Sequence, residues 1–188
     1  MTLSINDITS GIVLRVEGEL YLVVEYHHVK PAKGSAFVRV KLKNMKTDLV
    51  LERTYRTAEK LEDVLLDERQ LQYSYNAGDD YHFIAQDTYE DFTLNKNQLG
   101  NAVKYLQDNI RVTALICDEK IQKVILPNFI VAEVKNAEPG YKGDSSKAGT
   151  KPVTIDTGAV IQVPLFINVG DWVKVDTRIA QYVERVQK

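Results

Sequence analysis

Phe37-Val38-Arg39-Val40-Lys41-Leu42-Lys43 alternates apolar with basic residues at a strict period of two, the mark of a strand with one face buried and the other in water. Such a strand needs a neighbour, and Leu20-Tyr21-Leu22-Val23-Val24-Glu25-Tyr26, rich in β-branched and aromatic residues, supplies one just upstream. Between them runs Val29-Lys30-Pro31-Ala32-Lys33-Gly34-Ser35-Ala36-Phe37. Proline fixes its own backbone angle, glycine permits the reversal, and Ala32, Ser35 and Ala36 add no bulk. These residues predict a hairpin that carries Lys33 on a slender tip whose own loop offers no carboxylate.

The surrounding charge is one-sided. From His28 to Lys46 the basic residues are Lys30, Lys33, Arg39, Lys41, Lys43 and Lys46, with no acid among them, and Arg39, Lys41 and Lys43 share one face of their strand. A stripe of one sign invites an anionic partner, and a phosphate backbone is the usual one. The plain alternatives are a solvated turn lysine and a merely soluble strand face.

With 188 residues the chain has the length of one average domain, yet it lacks the long helical periodicity that would fill a single α/β core. Several small β domains fit better. Net charge is −2, but residues 1–64 carry 10 basic and 9 acidic groups, residues 65–128 carry 6 and 10, and residues 129–188 carry 8 and 7. The acidic middle third is therefore the part least suited to RNA. The single cysteine, Cys117, lies in the apolar run Val112-Thr113-Ala114-Leu115-Ile116-Cys117 and is expected to be a small buried hydrophobe. The N-terminal residues lack a basic region followed by an apolar one. No apolar run approaches the roughly 20 residues of a spanning helix, so a cytoplasmic protein without membrane contact is expected.

Along the chain, Gly11 to Leu20 reads as strand, turn and strand, and with the tip hairpin and Leu49 to Tyr55 makes a first all-β unit. The charged Thr57 to Asp63 breaks the alternation, which puts a boundary near residue 64. Leu71 to Tyr75 and Tyr81 to Ala85 flank the turn Asn76-Ala77-Gly78-Asp79-Asp80, a short helix is expected over Asn97 to Leu106, and strands return at Arg111 to Cys117 and Lys120 to Ile125. Five strands with one helix fit the oligonucleotide-binding (OB) barrel. In the last third strands are expected at Phe129 to Val134, Pro152 to Ile155, Ala159 to Val163, Trp172 to Val175 and Tyr182 to Val186. The glycine-, serine- and lysine-rich Pro139 to Lys151 is expected to be a mobile loop. The expected domains are 1–64, 65–128 and 129–188.

Catalytic chemistry is not apparent. His27 and His28 are adjacent and face opposite ways on a strand, so they cannot form a spaced metal site with the lone cysteine. No glycine-rich phosphate loop, nucleophile elbow or HExxH helix occurs, and the acidic pairs lie in charged surface runs. No enzyme activity, metal or cofactor is expected.

Lys30-Pro31-Ala32-Lys33-Gly34-Ser35-Ala36-Phe37 followed by Val38 to Leu42 resembles the conserved-tip hairpin of bacterial translation elongation factor P. Glu138 to Asp144, Gly149 to Val153, Thr157 to Phe166, Val175 to Arg178 and Tyr182 to Val186 are similar to that family's C-terminal signature, in family order. The resemblance implies an all-β fold of three barrels, an SH3-like (KOW-like) first domain and two OB-type domains, in an elongated, tRNA-like arrangement. It implies a monomer that binds the 70S ribosome beside the P-site tRNA and relieves stalling at consecutive prolines. Lys33 matches the tip position, which in the family is often covalently extended by a modifying enzyme. Lys30, Pro31, Ala32, Gly34, Arg39, Lys41 and Lys43 are then expected to meet ribosomal RNA or tRNA. Gly143, Asp144, Ser145, Ser146 and Lys151 are expected to meet the E-site codon region. The chain departs from the family's common form at Ala32, where glycine is frequent, and at Ser145, Lys147 and Ala148. Those departures fall where a modifying enzyme would read the tip and where the loop would meet a codon. The rivals are a generic single-strand binder using its aromatics, an adaptor that binds protein by an acidic face, and an unmodified paralogue of the factor.

Overall fold

A computed structural model of the protein describes residues 2–31, 34–56, 59–137 and 149–187. In chain order its strands are β1 (Thr2–Leu3), β2 (Val13–Val16), β3 (Glu19–Val29), β4 (Phe37–Asn44), β5 (Val50–Arg56), β6 (Leu61–Val64), β7 (Asp67–Ala77) and β8 (Asp80–Ala85). They continue with β9 (Asp91–Asn95), β10 (Arg111–Cys117), β11 (Lys120–Ile125), β12 (Phe129–Ala137), β13 (Thr150–Ile155), β14 (Val160–Pro164), β15 (Trp172–Asp176) and β16 (Gln181–Val186). One α-helical turn, α1 (Lys96–Leu99), precedes a 3-10 segment at Gly100–Tyr105.

The strands form three sheets in the orders β1-β6-β2-β3-β4-β5, β11-β10-β7-β8-β9 and a closed barrel β12-β13-β14-β16-β15. Numbered within their own sheets, the second and third repeat one succession: the first strand lies between the second and the fourth, and the fifth lies beside the fourth. That is the Greek-key order of the OB fold. In the third sheet the circle closes through a parallel β14–β16 pairing at Gln162↔Gln181.

By compactness the chain divides into two units, Met1–Arg69 with Ala114–Lys123, and Gln70–Thr113 with Val124–Lys188. The first unit is packed around Ile5, Ile8, Leu14, Val23, Val38, Val40, Leu42, Tyr55 and Leu61. Cys117 joins a smaller cluster with Val13, Leu20 and Met45, so the cysteine is the buried hydrophobe the sequence predicts. Burial also raises the pKa of its thiol. In the second unit Tyr105 enters the core of the closed barrel beside Ile130, Val153 and Val175. The Thr157 hydroxyl donates to the Lys104 carbonyl at 2.7 Å, and Gln107 Nε2 donates to the Val131 carbonyl at 3.0 Å. These bonds lie within the second unit and tie residues 104–107 to the closed barrel.

Two local expectations are corrected. The helix over Asn97 to Leu106 lasts a single α turn, because Gly100 adopts φ 54°, ψ −127° and ends it. Asn95 and Gln98 close a capping box at its start. Leu61–Val64 is a strand: its backbone pairs with β1 and β2, and Leu61 turns into the core while Glu62 stays outside.

Candidate nucleic-acid interface

The interface is built on the β3–β4–β5 sheet. Along β4, Val38, Val40 and Leu42 are fully buried and Phe37, Arg39, Lys41 and Lys43 point away from the core, as the alternation demands. β3 does not alternate cleanly. Its pairing runs Val23↔Leu42, then Glu25↔Lys41, with a bulge at Val24. A bulge moves every following side chain to the opposite face. Here it brings Glu25 onto the outer face beside Lys41, His27 opposite Arg39, and Tyr26 and His28 to the inner side, where their rings meet edge to face at 5.4 Å.

The outer face is therefore graded in charge. Far from the tip, Lys41 Nζ lies 2.5 Å from Glu25 Oε2, and Lys43 Nζ lies 3.0 Å from Asp48 Oδ1. Asp48 also receives Lys123. Lys41 further faces Glu52 across the β4–β5 ladder. Lys41 holds the Glu25 carboxyl below its ordinary pKa through a hydrogen bond and charge attraction. Nearer the tip the rows are His27–Arg39–Thr54 and Val29–Phe37–Arg56. Arg39 is exposed there and makes no ion pair among the described residues. Lys30 and Pro31 follow β3, both exposed, and Gly34 precedes β4 with φ 110°.

Of the expected site residues, this sheet brings together Lys30, Pro31, Gly34, Arg39, Lys41 and Lys43. Ala32, Lys33, Gly143, Asp144, Ser145 and Ser146 lie outside the described residues, as does most of the expected loop Pro139 to Lys151. Lys151 is described, on β13 of the closed barrel, where it is only 9% exposed and pairs with Val163. Of the middle-third aromatics that a single-strand binder would use, Tyr73, Tyr81 and Phe83 are buried, whereas Tyr75, stacked on His82 at 4.4 Å, faces solvent, as does Tyr89.

Two cation–ring groups on the closed barrel were not foreseen. Lys174 Nζ and the Arg178 guanidinium lie 5.1 and 5.7 Å from the centre of the Phe129 ring, and the Arg185 guanidinium lies 5.9 Å from that of Phe166. Arg178 also grips the buried Asp176 with two bonds, Nε to Oδ1 at 3.0 Å and Nη2 to Oδ2 at 2.6 Å, holding that carboxyl below its usual pKa. No helix among the described residues is long and apolar enough to cross a membrane.

Three family models match the chain in succession: the elongation factor P KOW-like domain over residues 4–61, the elongation factor P OB domain over residues 66–124, and the elongation factor P C-terminal model over residues 130–185. Elongation factor P of Pelotomaculum thermopropionicum is 46% identical over 184 residues, 98% of this chain and 100% of the relative. That of Moorella thermoacetica is 48% identical over 183 residues, 97% of this chain and 99% of the relative. The chain belongs to the elongation factor P family. Elongation factor P is a translation factor rather than an enzyme, and this member is accordingly a translation elongation factor. Among solved structures, eukaryotic translation initiation factor 5A from Methanococcus jannaschii aligns with TM-score 0.52 at 22% identity, over 66% of this chain and 96% of that one. A translation initiation factor 5A family protein from Naegleria fowleri aligns with TM-score 0.54 at 12% identity, over 67% and 98%. At those identities the likeness is one of fold.

Proposed function

We propose that this elongation factor P family member binds the 70S ribosome beside the peptidyl-tRNA of the P site and accelerates peptide-bond formation where consecutive prolines stall it. Lys33 is the residue that reaches the peptidyl-transferase centre, after covalent extension by a lysine-modifying enzyme. It acts in the cytoplasm as a monomer, with residues 1–64, 65–128 and 129–188 as its three domains. The observation that carries the reading is the graded β3–β4 hairpin, whose outward cations are neutralised far from the tip, while Arg39 near it has no ion pair among the described residues.

The hairpin chemistry suits RNA. Unpaired cations next to phosphate release counterions on binding, whereas cations already bound to carboxylates contribute less. Lys30, Pro31, Ala32, Gly34 and Arg39 form the leading contact, and Lys41 and Lys43 a weaker, internally compensated one. Gly143, Asp144, Ser145, Ser146 and Lys151 serve the E-site codon region, where small residues let backbone approach bases. The factor supplies no nucleophile and no acid or base. It orders the end of the tRNA, and positioning worth ~3 kcal/mol accelerates a step about a hundredfold.

Peptide-level mass spectrometry of the protein from its own host tests the modification. An added mass confined to Lys33 is expected; an unmodified Lys33 in protein active on proline-stalled ribosomes overturns that part of the proposal.

A further inference from the structure

The connection from β9 to β10 is fastened on two sides. Asn95 and Gln98 cap its first turn, and the Lys96 amide donates to the Asp79 carbonyl at 3.0 Å. Farther on, Tyr73 of β7 exchanges two backbone bonds with it: the Tyr73 amide donates to the Ile110 carbonyl at 2.9 Å, and the Asn109 amide donates to the Tyr73 carbonyl at 3.2 Å. Gln72 Nε2 adds a bond to Asn109 Oδ1 at 2.7 Å. These contacts seat the connection on the β7–β8 hairpin.

Its other side belongs to the closed barrel. Tyr105 is only 7% exposed and shares a core cluster with Ile130, Val153 and Val175, which come from three barrel strands, and Ile110 packs against the same cluster. The Thr157 hydroxyl reaches the Lys104 carbonyl, and Gln107 Nε2 donates to the Val131 carbonyl and, at 3.3 Å, to Asp156 Oδ1. Tyr105 thus fills a barrel to which its own segment adds no strand.

Covalently, the barrel follows β11 through Leu126, Pro127 and Asn128 alone. That linker is itself held: Thr177 donates its hydroxyl to the Pro127 carbonyl at 2.7 Å and its amide to the Asn128 carbonyl at 2.9 Å. One linker is a pivot. A second attachment elsewhere on the chain, through Tyr105, removes the rotation.

We propose that Tyr105 is a positioning residue, which locks the β7–β8–β9 part of the second sheet and the closed barrel into one body before the factor meets the ribosome. The inference rests on the reading that the factor accelerates bond formation there. A joint that is already ordered loses no further freedom when both parts dock, whereas a loose joint must be ordered on binding, which weakens it. Once docked, the two chains work alike. Loosening the joint therefore raises the concentration needed for half-maximal acceleration and leaves the maximal rate unchanged.

The test places spin labels at Tyr89→Cys and Val160→Cys, two exposed positions in the parts that the joint connects, and reads their distance distribution by double electron-electron resonance; Cys117 is buried and stays unlabelled. The full chain should give one narrow distribution. Tyr105→Ala should broaden it and raise the half-maximal concentration on proline-stalled ribosomes about tenfold, with the same maximal rate. Tyr105→Phe keeps a ring in the barrel and should match the parent in both readouts. Fluorescence of Trp172, the one tryptophan, on β15, reports whether the barrel is folded. Should Tyr105→Ala unfold it, a Thr157→Val, Gln107→Leu double variant, which keeps the core filled, takes its place with the same expectations. A broad distribution in the parent, or a parent-like one in the folded variant, overturns the proposal. So does a broadened chain that acts at the parent's concentration, or one whose maximal rate falls while its half-maximal concentration holds. If the distributions behave as expected but the parent itself fails to relieve stalling, the lock stands and the ribosomal reading falls.

Discussion

Glu25 and Lys41 face each other across the β3–β4 ladder because a bulge at Val24 moves Glu25 to the outer face of the sheet. One extra residue thus decides which cations of the hairpin are free. The pair masks Lys41 and leaves Arg39, two residues nearer the tip, without a carboxylate partner among the described residues.

Glu25→Gln should therefore unmask Lys41. The variant is expected to bind RNA more tightly at low salt, with a salt slope steeper by roughly 0.7 to 0.9. Both side chains are about half exposed, so the unfolding temperature should barely move. An unchanged slope would show that Lys41 does not face the RNA.

Gly34 has φ 110°, a conformation that L side chains rarely adopt, although a Cβ there would meet nothing nearer than Pro31 Cγ at 3.8 Å. Gly34→Ala should therefore act through the backbone alone, at a cost of about 1 kcal/mol or more. Rates of proline–proline bond formation should drop while the core of the first unit stays folded. Full activity in the alanine variant would mean that the hairpin tolerates another path at this point.

Asp176 supplies a pH test. Arg178 depresses its carboxyl pKa through paired hydrogen bonds, so the pair's contribution is complete above the ordinary aspartate value of about 3.9 and is lost as pH falls through the lower folded value. Asp176→Asn should lower the unfolding temperature at neutral pH, and the gap to the parent should close in acid. A gap that widens below pH ~4 would contradict this assignment.

Phe83 is fully buried on β8 and packs beside Tyr73 at 5.5 Å between ring centres. Phe83→Ala should cost about 3 to 5 kcal/mol in urea unfolding, and Phe83→Leu much less. A loss below 1 kcal/mol would mean that the site collapses around the cavity.

Alternation made most strands legible, since a period of two in Phe37–Lys43 or Ile130–Val134 admits few other folds. The tip hairpin was equally clear, because proline and glycine mark it. What escaped was non-local. The unbroken basic run from Lys30 to Lys46 contains no acid, yet strand pairing sets Glu25 and Glu52 against Lys41, and the following turn sets Asp48 against Lys43. The Val24 bulge left no trace in a β-branched run. Charged Glu62 and Asp63 hid a short strand whose ladder comes from β1 and β2. Phe166 gave a partial signal, an aromatic just after the Pro164 that ends a strand, but its partner Arg185 is found only through barrel closure.

The most direct measurement is the rate of proline–proline bond formation on ribosomes supplied with the protein from its own host or with its Lys33→Ala variant, both at saturating concentration. The account predicts that the parent accelerates the step and that the variant loses most of the effect, on the order of a hundredfold, while still binding the ribosome. Equal acceleration by both proteins would contradict it, because the tip lysine would then have no part in the function.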